Sequence, residues 1–219
     1  MKVLAWIEDL AEDLERIGAE PPPAPRWHQD WFPRLDAAAA YAIVRMTRPR
    51  RIVEVGSGHS TRFLARAVRD GSLGTQITAV DPQPRASIRG LALDWRAHPV
   101  QAADPALFGS LEASDILFID SSHQAKPGSD VEFLLGEALP RLAKGVRIHF
   151  HDIFLPDDYP DTWAWRRYNE QQAVAALLAD GYAAEFSSHQ AASGSLTGVL
   201  ARLPLAPGAK ESSLWLRKR

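Results

Sequence analysis

The 219-residue sequence has no cysteine and only two methionines. The absence of cysteine excludes disulfide bonds, cysteine nucleophiles and thiolate metal ligands, and it leaves the compartment open. No apolar run approaches the roughly 18 residues of a membrane-spanning helix, and acidic residues from Glu8 onward argue against a signal peptide. We therefore expect a cytoplasmic protein that does not engage a membrane.

The sequence also lacks a strong charge of either sign. Its 25 basic and 27 acidic residues give a formal net charge of −2, which offers no electrostatic basis for binding nucleic acid. Hydrophobic residues make up 46% and charged residues 24%, as in ordinary globular proteins. The length suits one α/β domain with a short extension.

Residues 1–34 have the pattern of an N-terminal extension, and residues 35–219 that of the main domain. The extension begins with an amphipathic helix, which Gly18 can end, and continues into the stiff connector "EPPPAPR". The apolar stripe of the helix must pack on the main domain or on a second copy of the chain, so a homo-oligomer stays open. That stripe consists of Val3, Ile7, Leu10, Leu14 and Ile17.

From residue 51 the sequence alternates strand-like and helix-like segments. This alternation predicts a mainly parallel sheet with helices on both faces. Before the first strand, a helix is predicted to begin at Asp36, which would cap it, and to run to Met46. The predicted strands are 51–55, 76–80, a weak one around Val100, 115–119, 145–150, 183–188 and 213–217, the last two pairing at one edge without a helix between them. The predicted helices are 61–69, 86–91, 131–142 and 168–179.

A glycine-rich turn follows the first strand in the stretch "IVEVGSGHSTR". Glycine tolerates positive φ angles and lets a ligand approach the backbone. A dinucleotide fingerprint would need a third small residue where Thr61 stands, and Glu54 would repel a pyrophosphate. A nicotinamide-dependent oxidoreductase is therefore only the alternative interpretation of this turn.

The pattern of Glu54, Gly56 and Gly58 resembles motif I of the class I S-adenosylmethionine-dependent methyltransferases. This resemblance implies a Rossmann-like fold with seven mostly parallel strands. It also implies that Asp81 binds the ribose hydroxyls, and that Asp104 contacts the adenine. The predicted residues for binding S-adenosylmethionine are Glu54, Gly56, Ser57, Gly58, Ser60, Thr61, Asp81, Asp104 and Asp120.

Two further stretches, "FIDSSHQAKPGSD" and "IHFHDIFLPDDYP", look like a group of bacterial small-molecule methyltransferases. They bring His123, His151 and Asp152 to the ends of the fourth and fifth strands, where these residues can deprotonate or orient a methyl acceptor. His149 is expected to be a core residue. The predicted activity is methylation of a small molecule, most simply on oxygen. A non-catalytic cofactor-binding or scaffold module is the remaining alternative.

A metal ion is a further possibility at the same strand ends. Methyltransferases similar to catechol methyltransferases hold Mg²⁺ with an acid after strand four and an acid–amide pair after strand five. Asp120 and Asp152 match the two acids, but Ile153 stands in the place of the amide. If His123 or His151 joined the two acids, a transition metal would suit the donors better than Mg²⁺.

Overall fold

The computed structural model describes residues 2–219 and contains a seven-stranded sheet. The strands lie in the order β3-β2-β1-β4-β5-β7-β6. In chain order they are β1 (Arg51–Val55), β2 (Gln76–Val80), β3 (Asp94–Arg96), β4 (Ile116–Ile119), β5 (Arg147–Phe150), β6 (Tyr182–Ser187) and β7 (Leu214–Lys218).

Helices cover both faces of the sheet. The α-helices are α1 (Lys2–Asp9), α2 (Ala11–Glu15), α3 (Arg34–Thr47), α4 (His59–Asp70), α5 (Ala106–Gly109), α6 (Asp130–Phe133), α7 (Leu139–Arg141), α8 (Glu170–Ala179), α9 (Ser188–Ala192) and α10 (Val199–Arg202). A π-helical stretch, Leu134–Ala138, joins α6 to α7, and short 3₁₀ helices form at Val100–Ala102 and Asp161–Arg166.

The first five strands run parallel, and β7 pairs antiparallel with both β5 and β6. The predicted Rossmann-like fold is confirmed, including the late pair of strands at one edge. The strand order reverses between β1 and β4, and ligands of open α/β sheets bind beyond the carboxyl ends of the strands at such a point. The ends of β2, β1, β4 and β5 therefore meet side by side.

The structure differs from the sequence prediction around the third strand. Residues 86–91 form bends and turns instead of the predicted helix, in a segment that Pro82 and Pro84 keep irregular. The strand itself lies at Asp94–Arg96, where Trp95 donates a hydrogen bond of 2.9 Å to the carbonyl of Asp81. The weak strand predicted around Val100 is a 3₁₀ helix that follows Pro99.

Two other local predictions are wrong. Short helices α9 and α10 occupy the connection between β6 and β7, where no helix was expected. Asp36 does not cap α3, because the helix begins earlier, with Pro33 as the residue before it. Asp36 instead lies fully buried inside the first turn of α3.

The N-terminal extension packs on the main domain. Ile7 and Leu14 are fully buried in the same apolar core as residues of α3 and α4. Trp27 donates its indole N–H to the carbonyl of Leu14 at 3.3 Å, and its ring lies 5.0 Å from that of Phe63. The boundary at residue 34 stays a prediction, although α3 begins there.

Polar contacts also join the extension to the C-terminal part of the chain. Glu8 accepts a hydrogen bond of 2.9 Å from the backbone N–H of Val199, at the start of α10. Glu15 pairs with Arg202 at 2.7 Å. Within residues 2–219, no helix combines the length and the apolar character that crossing a membrane requires.

Replacing Leu14 by alanine should lower the free energy of unfolding by about 2–5 kcal/mol, because a buried leucine loses both its transfer energy and its packing. Urea denaturation measures this change. Leu205, which is 39% exposed, supplies the control, and its alanine variant should stay within about 0.5 kcal/mol of wild type. Equal stabilities for the two variants would contradict the packing of the extension.

Candidate active site

A cavity of about 820 Å³ opens at the carboxyl edge of the sheet. Its floor comes from the segments that follow β1, β2, β4 and β5, and Trp31 and Phe32 of the extension form part of its wall. Neighbouring strands lie about 4.8 Å apart, so the floor extends roughly 14 Å from β2 to β5. The cavity therefore joins residues that lie far apart in the sequence.

The two glycines of the turn after β1 allow close backbone packing. Gly56 has a φ of 77°, and a Cβ atom there would lie 1.8 Å from the carbonyl oxygen of Asp120. Gly58 has a φ of 150°, and a Cβ atom there would lie 3.0 Å from the backbone nitrogen of Ala86. The glycines therefore let this loop pack against the neighbouring loops, and Gly56 also lines the cavity.

Glu54 lies beneath the glycine loop and not on the cavity wall. Its carboxyl group is fully buried and accepts hydrogen bonds from the hydroxyls of Ser60 at 2.7 Å and Thr61 at 2.6 Å. Thr61 in turn accepts the backbone N–H of Gly58. Burial raises the pKa of Glu54 to about 8, although the two hydroxyls favour the charged form. Glu54 was predicted to contact the cofactor, but in the structure its carboxyl group instead anchors the start of α4.

Asp81 stands on the cavity wall next to the glycine loop. Its Oδ2 accepts hydrogen bonds from the backbone N–H of Ser57 at 2.6 Å and from the Ser57 hydroxyl at 2.9 Å. Its Oδ1 accepts the N–H of Gln83 at 2.7 Å. Ser57 and Ser60 line the cavity with it, whereas Gly58 and Thr61 lie behind the wall.

Asp104 lies outside the cavity. Its side chain is exposed and accepts the N–H of Ala106 at 2.9 Å, at the start of α5. The prediction placed it at the end of the third strand, but β3 ends at Arg96, eight residues earlier. Val100 and Gln101 line the cavity in its stead.

Four side chains converge at the ends of β4 and β5, and we call them the His/Asp cluster: Asp120, His123, His151 and Asp152. His123 Nε2 lies 3.5 Å from Asp120 and 3.6 Å from Asp152. His151 Nδ1 lies 3.3 Å from Asp120 and 3.5 Å from Asp152. His123 and Asp152 both have positive φ angles, 58° and 54°, which are uncommon for residues other than glycine and occur often at functional sites.

Two buried carboxylates lie behind the cluster. Glu170 Oε2 is 2.9 Å from His123 Nδ1, and Asp36 Oδ2 is 3.3 Å from His151 Nε2. Sequence reasoning assigned neither residue to the site. They lie 47 and 115 positions away from their histidines, and no local pattern marks them.

These carboxylates determine the protonation of the cluster. Burial alone would lower the pKa of His123 and His151, but Asp120, Asp152, Glu170 and Asp36 together raise both values well above the ordinary range. Burial alone would raise the pKa of Asp120, but the two histidines lower it below its ordinary value. In the absence of another cation, the four carboxylates therefore favour the protonated form of both imidazoles.

His149 is a core residue, as the sequence suggested. Its ring stacks on that of Phe118, with centroids 3.7 Å apart, and its Nε2 is 2.8 Å from the Ser213 hydroxyl. Burial lowers its pKa well below the ordinary value. It does not line the cavity.

Aromatic and basic side chains surround the mouth of the cavity. Arg166 stacks on Trp163 at 4.1 Å and lines the cavity together with Trp163 and Tyr168. Tyr159 lies behind them, where its hydroxyl accepts the N–H of Gln171. Further basic side chains that sequence reasoning missed also line the cavity: Arg85, which stacks on Trp31 at 3.8 Å, Lys126 and Lys210.

The acid–acid–amide arrangement for Mg²⁺ is not reproduced. Ile153, at the position of the amide, is 1% exposed and belongs to the apolar core. Asp152 accepts the Ser212 hydroxyl at 3.1 Å and lies between the two histidines. The oxygen-rich environment that Mg²⁺ prefers is therefore absent around these two acids.

Residues 53–153 match the family model described as "Methyltransferase domain". This stretch contains the glycine loop and the whole His/Asp cluster. The match covers 101 of the 219 residues and agrees with the resemblance of motif I to the class I S-adenosylmethionine-dependent methyltransferases. No curated protein matches its sequence.

Solved structures share the fold at low sequence identity. An O-methyltransferase from Bacillus cereus in complex with SAH is 14% identical with a TM-score of 0.54, and the match covers 100% of this chain and 91% of that one. An SAH-bound methyltransferase from Podospora anserina is 18% identical with a TM-score of 0.53, covering 100% and 88%. A branched-chain polyamine synthase from Thermus thermophilus is 15% identical with a TM-score of 0.55, covering 95% and 63%.

The buried carboxyl of Glu54 makes stability depend on pH. Because its pKa is raised to about 8 from 4.5, the stability it contributes is complete below about pH 4.5 and is lost as the pH rises through 8. Glu54→Gln does not ionise. The stability of wild type relative to this variant should therefore fall between pH 5 and pH 8, as measured by urea denaturation across that range.

Glu54→Ala provides the comparison at constant pH. It leaves the buried hydroxyls of Ser60 and Thr61 without their acceptor, at a cost of about 1–3 kcal/mol for each unsatisfied group. The alanine variant should therefore be less stable than the glutamine variant at every pH. A pH-independent difference between wild type and Glu54→Gln would contradict the raised pKa.

Proposed function

We propose that the protein transfers the methyl group of S-adenosylmethionine to an oxygen atom of a small molecule. The observation that carries this proposal is the single cavity that connects Asp81 and the glycine loop with the His/Asp cluster. The first part has the features of a cofactor site, and the second has charged groups arranged for chemistry. Methyl transfer requires both in one enclosure.

In this proposal the cofactor lies across the ends of β2 and β1. The Asp81 carboxylate accepts hydrogen bonds from the ribose hydroxyls, in addition to those from Ser57 and Gln83. Gly56 and Ser57 lie against the methionine part, and Gln101 lies on the wall where the adenine would be. The partly exposed Asp120 carboxylate, at the end of β4, is placed to attract the positive sulfonium.

The reaction is an in-line displacement. A bond forms between the acceptor oxygen and the methyl carbon, the bond between that carbon and sulfur breaks, and S-adenosylhomocysteine leaves. His123 and His151 would orient the acceptor oxygen, and the Asp152 carboxylate between them would accept its proton. Alignment supplies much of the rate, since sulfonium is a strong electrophile.

The walls beyond the cluster favour a small acceptor with aromatic or negatively charged parts. Trp163 and Tyr168 offer aromatic faces, while Arg166, Lys126 and Lys210 offer positive charge. A cavity of about 820 Å³ is large enough for the cofactor and one small molecule together.

The alternatives are weaker on structural grounds. The dinucleotide interpretation needs close packing of a small third residue, but Thr61 stands there with its hydroxyl bonded to Glu54. The polyamine synthase with the same fold shows that this fold is not confined to O-methyltransferases. A scaffold role would leave the buried charges of the His/Asp cluster without a purpose.

Calorimetric titration with S-adenosylmethionine tests the cofactor site. Asp81→Ala should weaken binding by tenfold or more, because a charge-assisted hydrogen bond contributes about 1.5–3 kcal/mol. Asp104→Ala is the matched control, since Asp104 is exposed and lies outside the cavity, and its affinity should equal that of wild type.

Absence of binding to wild type would refute the proposal, and binding of reduced nicotinamide cofactor instead would support the oxidoreductase. Equal affinities of the Asp81 and Asp104 variants would refute the placement of the ribose. Turnover is then followed as S-adenosylhomocysteine released in the presence of phenolic acceptors. Binding without turnover across a broad panel of acceptors would favour the scaffold.

A further inference from the structure

We propose that His123 Nε2, His151 Nδ1 and an Asp120 carboxylate oxygen bind one divalent ion of the first transition series. The ion would not be Mg²⁺. The inference about binding depends only on the geometry of the cluster, whereas the role assigned to the ion rests on the proposed function.

The donor atoms are close enough to share one ion. The ligand atoms of Asp120, His123 and His151 all lie within 4.8 Å of one another. Asp120 Oδ1 is 3.5 Å from His123 Nε2 and 3.3 Å from His151 Nδ1. Ligands held about 2.0–2.1 Å from a tetrahedral ion are about 3.4 Å apart, so these separations already suit coordination.

The carboxylates behind the cluster give the histidines the orientation of metal ligands. Histidines that bind metals almost always donate their other ring N–H to a carboxylate or carbonyl, which fixes the tautomer. Glu170 takes that place on His123 Nδ1 at 2.9 Å, and Asp36 takes it on His151 Nε2 at 3.3 Å. Both histidines therefore present the opposite nitrogen to the point that they share with Asp120.

The charge of the region favours a cation. Asp36, Asp120, Asp152 and Glu170 bring four carboxylates to two imidazoles, and three of the four are at most 5% exposed. Buried carboxylates need compensating positive charge. A divalent ion held between Asp120 and the two imidazoles would supply such charge within reach of these carboxylates.

The donor types decide which ion binds. Imidazole suits zinc, copper, iron and nickel, whereas Mg²⁺ requires oxygen ligands in octahedral geometry. Two nitrogens and one carboxylate would fill three coordination positions and leave others open. The apolar Ile153 supplies no additional oxygen. The site is thus built for a metal different from that of the acid–acid–amide enzymes.

If the acceptor hydroxyl occupied an open coordination position of the ion, a carboxylate could remove its proton. Phenols lose their proton near pH 10, far above the ordinary value for an aspartate. A bound metal ion lowers the pKa of a coordinated hydroxyl. Asp152, whose oxygens lie 3.5 and 3.6 Å from the two ligating nitrogens, is then adjacent to the hydroxyl that must lose its proton.

The test uses Co²⁺ as a spectroscopic probe of the EDTA-treated full-length protein. Wild type should bind one equivalent and develop the strong visible absorption of Co²⁺ with nitrogen ligands in low coordination number. A large excess of Mg²⁺ should leave that absorption unchanged. His123→Ala and His151→Ala should abolish it, while His189→Ala, which removes a histidine paired with Asp157, should retain it.

Glu170→Gln is the more conservative variant, because it keeps a hydrogen-bond acceptor for His123. It should weaken Co²⁺ binding by about 10–100-fold without removing the absorption. Circular dichroism verifies that each variant is folded. If the alanine variants do not fold, the wild-type competition with Mg²⁺ and the Glu170→Gln affinity decide the question.

The inference is wrong if Co²⁺ produces no absorption, if Mg²⁺ displaces Co²⁺ at comparable concentration, or if the folded histidine variants bind like wild type. Failure of the proposed function looks different, because metal-free wild type would then give no heat with S-adenosylmethionine. Retained cofactor binding together with no Co²⁺ absorption refutes the metal site alone.

Discussion

The buried carboxylate of Asp36 connects parts of the chain on which the whole site depends. It accepts the backbone N–H groups of Ser212 and Ser213, just before β7, and it lies 3.3 Å from His151 at the end of β5. One fully buried charge in α3 therefore fixes the entry to an edge strand and the orientation of a histidine in the cavity. Without these donors the charge would be strongly unfavourable in the core.

The order of the strands in the sheet determines how the remaining residues of the site are arranged. The carboxyl ends of four adjacent strands supply, in spatial order, Asp81, the glycine loop, Asp120 and His151. A cofactor that lies across the first strands must place its reactive group near the last ones. The spacing of the strands thus sets the distance between the cofactor-binding residues and the His/Asp cluster, and the loops only adjust it.

Most of the fold could be predicted from the sequence, and so could the strand ends that line the cavity, for identifiable reasons. The strands that end at Val55, Val80, Ile119 and Phe150 are short apolar runs before polar residues, a local signal that predicts both a strand and its end. The third strand has only three residues and gives no such apolar run, so its end was predicted in the wrong place and Asp104 was assigned to it. Asp36 and Glu170 were not predictable, because their importance arises from contacts across the fold.

The ties between the N-terminal extension and α10 bear on how the protein is made. Glu8 and Glu15 find their partners only at Val199 and Arg202, nearly two hundred residues later. The apolar stripe of the first helices packs against α3 and α4, which follow early in the chain, whereas these two polar contacts form only after almost the whole chain has been synthesised. The N-terminal extension is therefore fastened to the domain in two stages, first by apolar packing and last by the C-terminal part of the chain.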